Sequence, residues 1–291
     1  MHLPPVGEIN SGKFSNDKMK ELAVILIIAH KPELSEFEKA SLAQCYAVLD
    51  KYAIRLIVPE GMDVSEYKKV NPKAAFEFID PKWQSTYAMF NRLKIEPFLY
   101  RKFSNYKFIL FYELDAWVFR DELEEWCRKD FDYIGAPWFK GFHRAGPDAA
   151  FTGIGNGGFS LRKVETYLKS SRRFSYIVKP EVLFREFKKS PSVGKFFRLL
   201  ADLTFRNNTF SLFNDFKGNE DFFWMRIVAP GFPGFKIPSK EEALKFAIET
   251  NPSAWIKTEK DLPFGCHAYL KYEPDFWANY IPVLKNKSEK A

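Results

Sequence analysis

Hydrophobic and polar positions alternate in blocks along the chain. Residues 22–29 form eight consecutive apolar positions, the pattern of a central strand buried on both faces. Ser35 then opens a helical stretch to position 49, with Phe37, Leu42, Cys45 and Leu49 near helical spacing. Residues 54–58 predict a second strand, stopped by Pro59-Glu60-Gly61, and residues 76–79 a short third. The stretch 85–103 reads as a helix carrying Tyr87, Phe90, Leu93 and Leu99, with Pro97 placed to kink or divide it. Residues 106–112 are a further apolar strand. Strands alternating with helices predict βαβ units, hence an α/β fold with a mainly parallel central sheet flanked by helices.

The second half is less regular. Gly155-Asn156-Gly157-Gly158 leads into a short strand and a helix near Lys163. Helical pieces follow Pro180 and Ser192, another starts at Asn219, another covers 239–248, and turns dominate from Asn251. There is no internal repeat. With 291 residues the chain suits one large domain or two small ones. The expected division is a loose tail over 1–20, a single domain over 21–285 and a polar tail over 286–291.

Composition excludes some classes. Hydrophobic residues at 46% and charged residues at 28% rule out a disordered chain, a collagen and a coiled coil. Three cysteines without a C-x-x-C spacing argue against a disulfide framework or structural zinc and for a reducing compartment. The apolar run at 22–29 falls short of the roughly 20 residues a membrane-spanning helix needs. His30-Lys31-Pro32 follows it in place of a signal-peptide cleavage site, so the expected location is cytoplasmic.

Charge changes the picture of the second half. The formal net charge is +7, and residues 166–217 hold 11 Lys/Arg against 4 Asp/Glu, which leaves the remainder neutral. That basic, Phe-rich helical insertion has three readings. It is a solvated or acceptor-side face, or it makes peripheral contact with the inner face of a membrane, its Phe residues inserting while Lys and Arg meet anionic headgroups. As a nucleic-acid site, the third, it offers charge and aromatics but no recognisable fold signature, so no nucleic-acid partner is expected.

Four stretches carry candidate chemistry. In the first, an apolar strand ends at Glu113-Leu114-Asp115, and a period of two places both carboxylates on one face. Ligands of open α/β sheets gather beyond the carboxyl ends of the strands. Two carboxylates there suit Mg²⁺ or Mn²⁺ bridging to a nucleotide diphosphate, or simply a strand end meeting water. In the second, Asn219-Glu220-Asp221 reads either as an N-cap with acids on the helix dipole or as a general base for a sugar hydroxyl. In the third, Phe264-Gly-Cys-His267 stands four residues before Lys271. An imidazole there can complete a metal site and a lysine can neutralise phosphate, although a histidine beside aromatics is as readily a packed residue. In the fourth, Asn156-Gly157-Gly158 permits close backbone approach to a ligand or makes a plain tight turn. Trp138 just upstream is a sugar-stacking platform or a core residue.

The strings Leu110-Phe-Tyr-Glu-Leu-Asp-Ala-Trp, Asp132-Tyr-Ile-Gly-Ala-Pro-Trp, Gly155-Asn-Gly-Gly-Phe-Ser-Leu-Arg, Asn219-Glu-Asp-Phe-Phe-Trp and Phe264-Gly-Cys-His-Ala-Tyr occur in one order. Together they resemble a bacterial family of poorly characterised proteins that is found among polysaccharide-synthesis genes and is related to GT-A glycosyltransferases. The resemblance spans roughly 22–281. It implies a GT-A-like domain and a metal-dependent transferase. The sugar would move from a nucleotide-sugar donor to a glycan or lipid-linked glycan acceptor. Glu113-Leu-Asp115 stands at the DxD-type motif, departing from it at the first position. Asp115 would then be the direct ligand of Mn²⁺ or Mg²⁺, with Glu113 offering oxygen to the metal or a ribose and His267 completing the shell. Lys271 would sit on the diphosphate, Glu220 and Asp221 would supply the base of an inverting reaction, and Asn156, Gly157 and Gly158 would lie near donor sugar or acceptor. By positional analogy, nucleotide contacts fall at His30, after the first strand, and Asn91, on the helix before the acidic strand.

Rival readings remain at this stage. A retaining transferase needs no base, and the acidic pair would then only hold the acceptor. A nucleotidyltransferase would show a Gly-rich basic loop after the first strand, where this chain has His30-Lys31-Pro32-Glu33. A sugar- or nucleotide-binding scaffold would keep the fold without catalysis.

Overall fold

The computed structural model describes residues 22–288 apart from 147, 173 and 175. Its strands are β1 (Ala23–Ile28), β2 (Ala53–Pro59), β3 (Phe76–Ile79), β4 (Phe108–Tyr112), β5 (Trp117–Val118), β6 (Tyr133–Ile134), β7 (Pro137–Phe139), β8 (Phe151–Ile154), β9 (Phe159–Lys163), β10 (Ala247–Ile248) and β11 (Gly265–Cys266). The main sheet has the order β3-β2-β1-β4-β9-β6. β1 to β4 run parallel, and β9 is antiparallel to both β4 and β6. The expected α/β architecture, mainly parallel and flanked by helices, is what the chain adopts.

Every residue of β1 is buried, as its unbroken apolar run requires. Alternation divides the strands between two cores. Ile25, Ile27, Leu110 and Tyr112 face a core shared with Leu42, Cys45 and Leu49 of the helix Glu36–Leu49. Val24, Leu26, Ile109 and Phe111 face a second core with Leu93, Leu99, Tyr100 and Trp224. Helices on both faces are why β1 and β4 are apolar on both sides.

Local chemistry sets the helix ends. Ser35 makes a capping box with Glu38, its N–H donating to the Glu38 carboxylate at 2.8 Å while its hydroxyl accepts from the Glu38 N–H at 3.3 Å. The stretch 85–103 is two helices, Tyr87–Leu93 and Pro97–Lys102. Pro97 lacks an N–H and holds Glu96 in extended backbone, so one helix stops and the next begins at it.

The 166–217 segment follows the helix Val164–Arg172 into the helices Pro180–Lys189 and Val193–Ala201, then a π-helical turn Asp202–Arg206 and a helix Thr209–Asp215. These include the two helices expected after Pro180 and Ser192. A helix Pro282–Ser288 runs through the first residues of the expected C-terminal tail. The expected tail over 1–20, and residues 289–291, lie outside the described residues. Cys45, Cys127 and Cys266 are free and buried. Among the described residues no helix is long and apolar enough to cross a membrane.

A three-stranded sheet of order β10-β11-β5 takes β10 from the end of the expected helix 239–248, which stops at Phe246, β11 from the closing turn-rich region and β5 from just after the acidic turn. Sequence patterning missed it, because two-residue strands carry no readable alternation. This small sheet brings the end of the chain back to the acidic turn after β4.

Candidate active site

β4 ends at Tyr112, so Glu113 and Asp115 lie beyond it and strand alternation does not align them. A turn does: the Ala116 N–H donates to the Glu113 carbonyl at 2.9 Å. The Glu113 N–H donates to the Gly158 carbonyl at 2.7 Å, which ties the acidic turn to the loop before β9. β11 pairs antiparallel with β5, Cys266 opposite Trp117, and carries His267 to the same turn. The His267 N–H donates to the Ile248 carbonyl at 3.2 Å, so Glu249, after β10, arrives with it.

His267 Nε2 lies 3.2 Å from Oδ1 of Asp115 and 3.7 Å from Oε2 of Glu113, and its Nδ1 lies 3.4 Å from Oε1 of Glu249. Single donor atoms of Glu113, Asp115 and His267 all fall within 4.8 Å of one another. Both ring nitrogens are closed off from solvent, and neither satisfies hydrogen-bond geometry. Burial disfavours the imidazolium, but the carboxylates of Asp115, Glu113 and Glu249 outweigh it and hold the ring's pKa well above the ordinary value.

Lys94 is a residue the sequence reading missed. It is 2% exposed, and its ammonium pairs with Oε1 of Glu113 and lies 3.3 Å from the Gly157 carbonyl. Burial would raise the pKa of Glu113, but Lys94 and His267 override it and keep the carboxyl well below the usual range. One oxygen of Glu113 is thus taken by Lys94, and the other faces His267.

Asp221 stands across the cleft. Its Oδ2 accepts the Asn156 N–H at 2.9 Å and its Oδ1 the Phe222 N–H at 2.7 Å. Burial, then the neighbouring Glu220 charge, push its pKa up to about 6. Asn156 holds a left-handed backbone, φ 80°, and its Oδ1 accepts the N–H groups of Gly158 and Phe159. Asn156 therefore organises the loop and orients Asp221.

Glu220 is corrected as a catalytic candidate. It is 1% exposed, its Oε1 accepts from Nη2 of Arg162 at 2.7 Å, and Lys94 Nζ is 3.9 Å away. It is a buried counter-ion. Asn91, expected as a nucleotide contact, has its side chain engaged inside the protein, its Oδ1 accepting the Glu220 N–H at 3.2 Å and its amide donating to the Tyr87 carbonyl at 2.9 Å, while it lines a cavity with Glu113 and His267. Trp138 is 8% exposed, so the expected stacking platform is largely covered. Tyr87, 71% exposed, is an open aromatic at the cleft, with its hydroxyl 3.2 Å from Oδ1 of Asn219.

Three cavities meet at these residues. One of ≈ 340 Å³ is lined by Glu113, Asp115, His267, Asp221, Trp138 and Lys271. A second, of ≈ 140 Å³, shares Glu113, His267 and Asp221 and reaches Asn156, Gly157 and Gly158. A third, of ≈ 220 Å³, lies at the end of β1, where His30, Tyr67 and Phe90 join Glu113 and Asp115. The sequence candidates thus converge, with Lys94, Glu249 and Tyr87 added.

The glycines are required by contact. A Cβ on Gly157 would fall on the Glu220 carboxylate, and one on Gly158 on the His267 ring. An imidazole at the end of its side chain can swing away, so Gly158→Ala is expected to keep the fold by circular dichroism and, with the Glu113, Asp115 and His267 cluster read as a cation site, to weaken Mn²⁺ binding at least about tenfold by calorimetric titration. Unchanged Mn²⁺ affinity would show that the close approach of Gly158 to His267 is incidental.

A family profile described as "Protein of unknown function (DUF5672)" matches residues 73–267. No curated protein matches the sequence. Similar solved structures include the mannosyltransferase Ktr4p from S. cerevisiae in complex with GDP, 12% identical over 67% of this chain and 68% of that one, TM-score 0.38. An active-site mutant of LgtC is 14% identical over 62% of this chain and 69% of that one, TM-score 0.35. A glycosyltransferase involved in glycosylation of the major capsid of PBCV-1 is 11% identical over 90% of this chain and 99% of that one, TM-score 0.43. These are distant likenesses, and the chemistry is read from the chain's own geometry.

Proposed function

We propose that this chain, which belongs to the DUF5672 family of proteins of unknown function, is a metal-dependent glycosyltransferase of the GT-A type. It moves a sugar from a nucleotide-sugar donor to a glycan or lipid-linked glycan acceptor, with inversion and with Asp221 as base. One observation carries this reading: the Glu113, Asp115 and His267 cluster and a carboxylate of raised pKa line the same cleft.

The donor set fits a divalent cation. Two carboxylates and an imidazole suit Mn²⁺ or Mg²⁺, and the solvent-shielded Nε2 of His267, which faces Asp115 and Glu113 without a hydrogen bond, is the nitrogen that would ligate, with Nδ1 turned to Glu249. Asp115, His267 and the free oxygen of Glu113 would hold it, and the bound cation would supply positive charge toward the diphosphate. Lys271, on the cleft wall, adds a second positive charge there. The cavity at His30 and Phe90 takes the nucleoside, since it shares Glu113 and Asp115 with the reaction cleft. Asp221 accepts the proton of the acceptor hydroxyl as that oxygen bonds to the anomeric carbon. The bond from that carbon to the diphosphate breaks, and the nucleoside diphosphate leaves.

Thermal shift of the whole chain with a panel of nucleoside diphosphates, with and without Mn²⁺, tests the reading. One nucleotide is expected to raise Tm only when Mn²⁺ is present. Failure of every nucleotide to shift Tm in Mn²⁺ would overturn the donor site and leave a non-catalytic scaffold.

A further inference from the structure

We infer that the basic insertion docks on the surface of an anionic lipid bilayer, through an exposed apolar stripe on the helix Val193–Ala201 and the net positive charge of the segment that carries it. Val193, Phe196, Phe197 and Leu200 stand at i, i+3, i+4 and i+7, one face of a helix. Such a stripe normally faces a core. Here those residues are 75%, 52%, 63% and 50% exposed, and Leu199 alone in the helix is buried. Phe205, in the π-helical turn that follows, is 72% exposed.

The exposure is concentrated. Ten of the 17 large apolar side chains exposed among the described residues fall between Phe174 and Phe210. Large apolar side chains exposed at this density are what an interaction surface leaves open. The adjoining helix Pro180–Lys189 packs Phe187 on Phe196 at 6.3 Å, exposes Phe184 and ends in Lys188 and Lys189. Lys195 and Arg198 lie on the stripe's own helix.

Charge selects the occupant. The segment 166–217 carries 11 Lys/Arg against 4 Asp/Glu, so a second copy of the chain would set two strongly positive faces together. An anionic bilayer complements the charge and accepts the Phe side chains, the combination an interfacial helix uses. The helices are 10 and 9 residues long and lie on a membrane rather than across it. Phe213, near the end of the insertion, packs on Phe223 and Trp224 at 4.9 and 5.9 Å, two and three residues after Asp221. The insertion is therefore anchored by packing to the segment that also carries Asp221. The inference does not depend on the transferase reading.

Vesicle co-sedimentation of the whole chain tests it, with phosphatidylcholine alone and with phosphatidylserine added. The protein is expected to pellet with the anionic vesicles at low salt, to be partly released at high salt and to ignore the neutral ones. Phe196→Ser with Phe197→Ser should weaken binding about tenfold or more at unchanged Tm, because both side chains are already exposed. Lys188→Glu with Lys189→Glu should remove the anionic preference. No binding to anionic vesicles at low salt overturns the inference, as does binding indifferent to the Phe pair. A concentration-dependent dimer that the Phe variant abolishes, seen by light scattering without vesicle binding, assigns the face to a second copy and also overturns it.

Discussion

Asp221→Asn is expected to lower sugar transfer by about 10²–10⁴-fold, the usual loss when a positioned base is removed, while nucleotide binding in Mn²⁺ stays intact. The variant is also expected to be at least as stable as the parent above pH 6. Burial and Glu220 raise the carboxyl from 3.8 to about 6, so the folded state holds this proton more tightly than the unfolded one. The stability gained from protonation is fully present below the unfolded value and lost as pH rises through the folded value. At 1.36 kcal/mol per unit, ionised Asp221 costs the fold roughly 3 kcal/mol above pH 6. Asparagine removes that charge and keeps one acceptor for the Asn156 or Phe222 N–H, so part of the penalty returns as stability. For the parent, kcat/KM should rise with pH through about 6 and then level, since the base works only when ionised. The product should carry inverted anomeric configuration. Near-parental transfer by Asp221→Asn, or a retained configuration, would remove Asp221 from the base role.

That pairing of lost rate with kept stability follows from where the residue sits, and only part of its position was legible in the sequence. Residues 22–29 announced the central strand because eight apolar positions in a row have no other comfortable place. Ser35 with Glu38 and the break at Pro97 were equally readable, since capping and a missing N–H are local effects. Glu113, Asp115, Asp221 and His267 were legible as residues able to do chemistry at the ends of elements. Their meeting depends on β11 pairing with β5, two residues against two across a separation no local pattern records. Lys94 was invisible for the same reason: among 44 Lys/Arg nothing marks it, and only the fold sets it beside Glu113. Glu220 and Asp221 look interchangeable in the sequence. Successive helical residues diverge by about 100°, so one turns toward the cleft and the other into the core.

The core side of that pair gives the largest stability effect. Arg162 is fully buried, with Nη2 2.7 Å from Oε1 of Glu220, Nε 3.1 Å from the Ser160 hydroxyl and its guanidinium carbon 4.2 Å from the Phe111 ring centre. Burial opposes its charge, but Glu220 more than offsets this and keeps it ionised. Arg162→Met retains length and apolar contact but leaves Glu220 in the core with only Lys94, at 3.9 Å. Breaking one side of a buried pair costs about 3–5 kcal/mol, so Tm should fall by roughly 10 °C. Adding Glu220→Gln to Arg162→Met should recover part of the loss, because a neutral amide needs no counter-ion, and the double-mutant cycle should show strong coupling. Glu220→Gln alone distinguishes a counter-ion from a catalyst. It is expected to lower Tm yet transfer sugar at a rate within a few-fold of the parent when assayed below that Tm. A variant with parental Tm and no activity would return Glu220 to the chemistry and sink its assignment as the partner of Arg162.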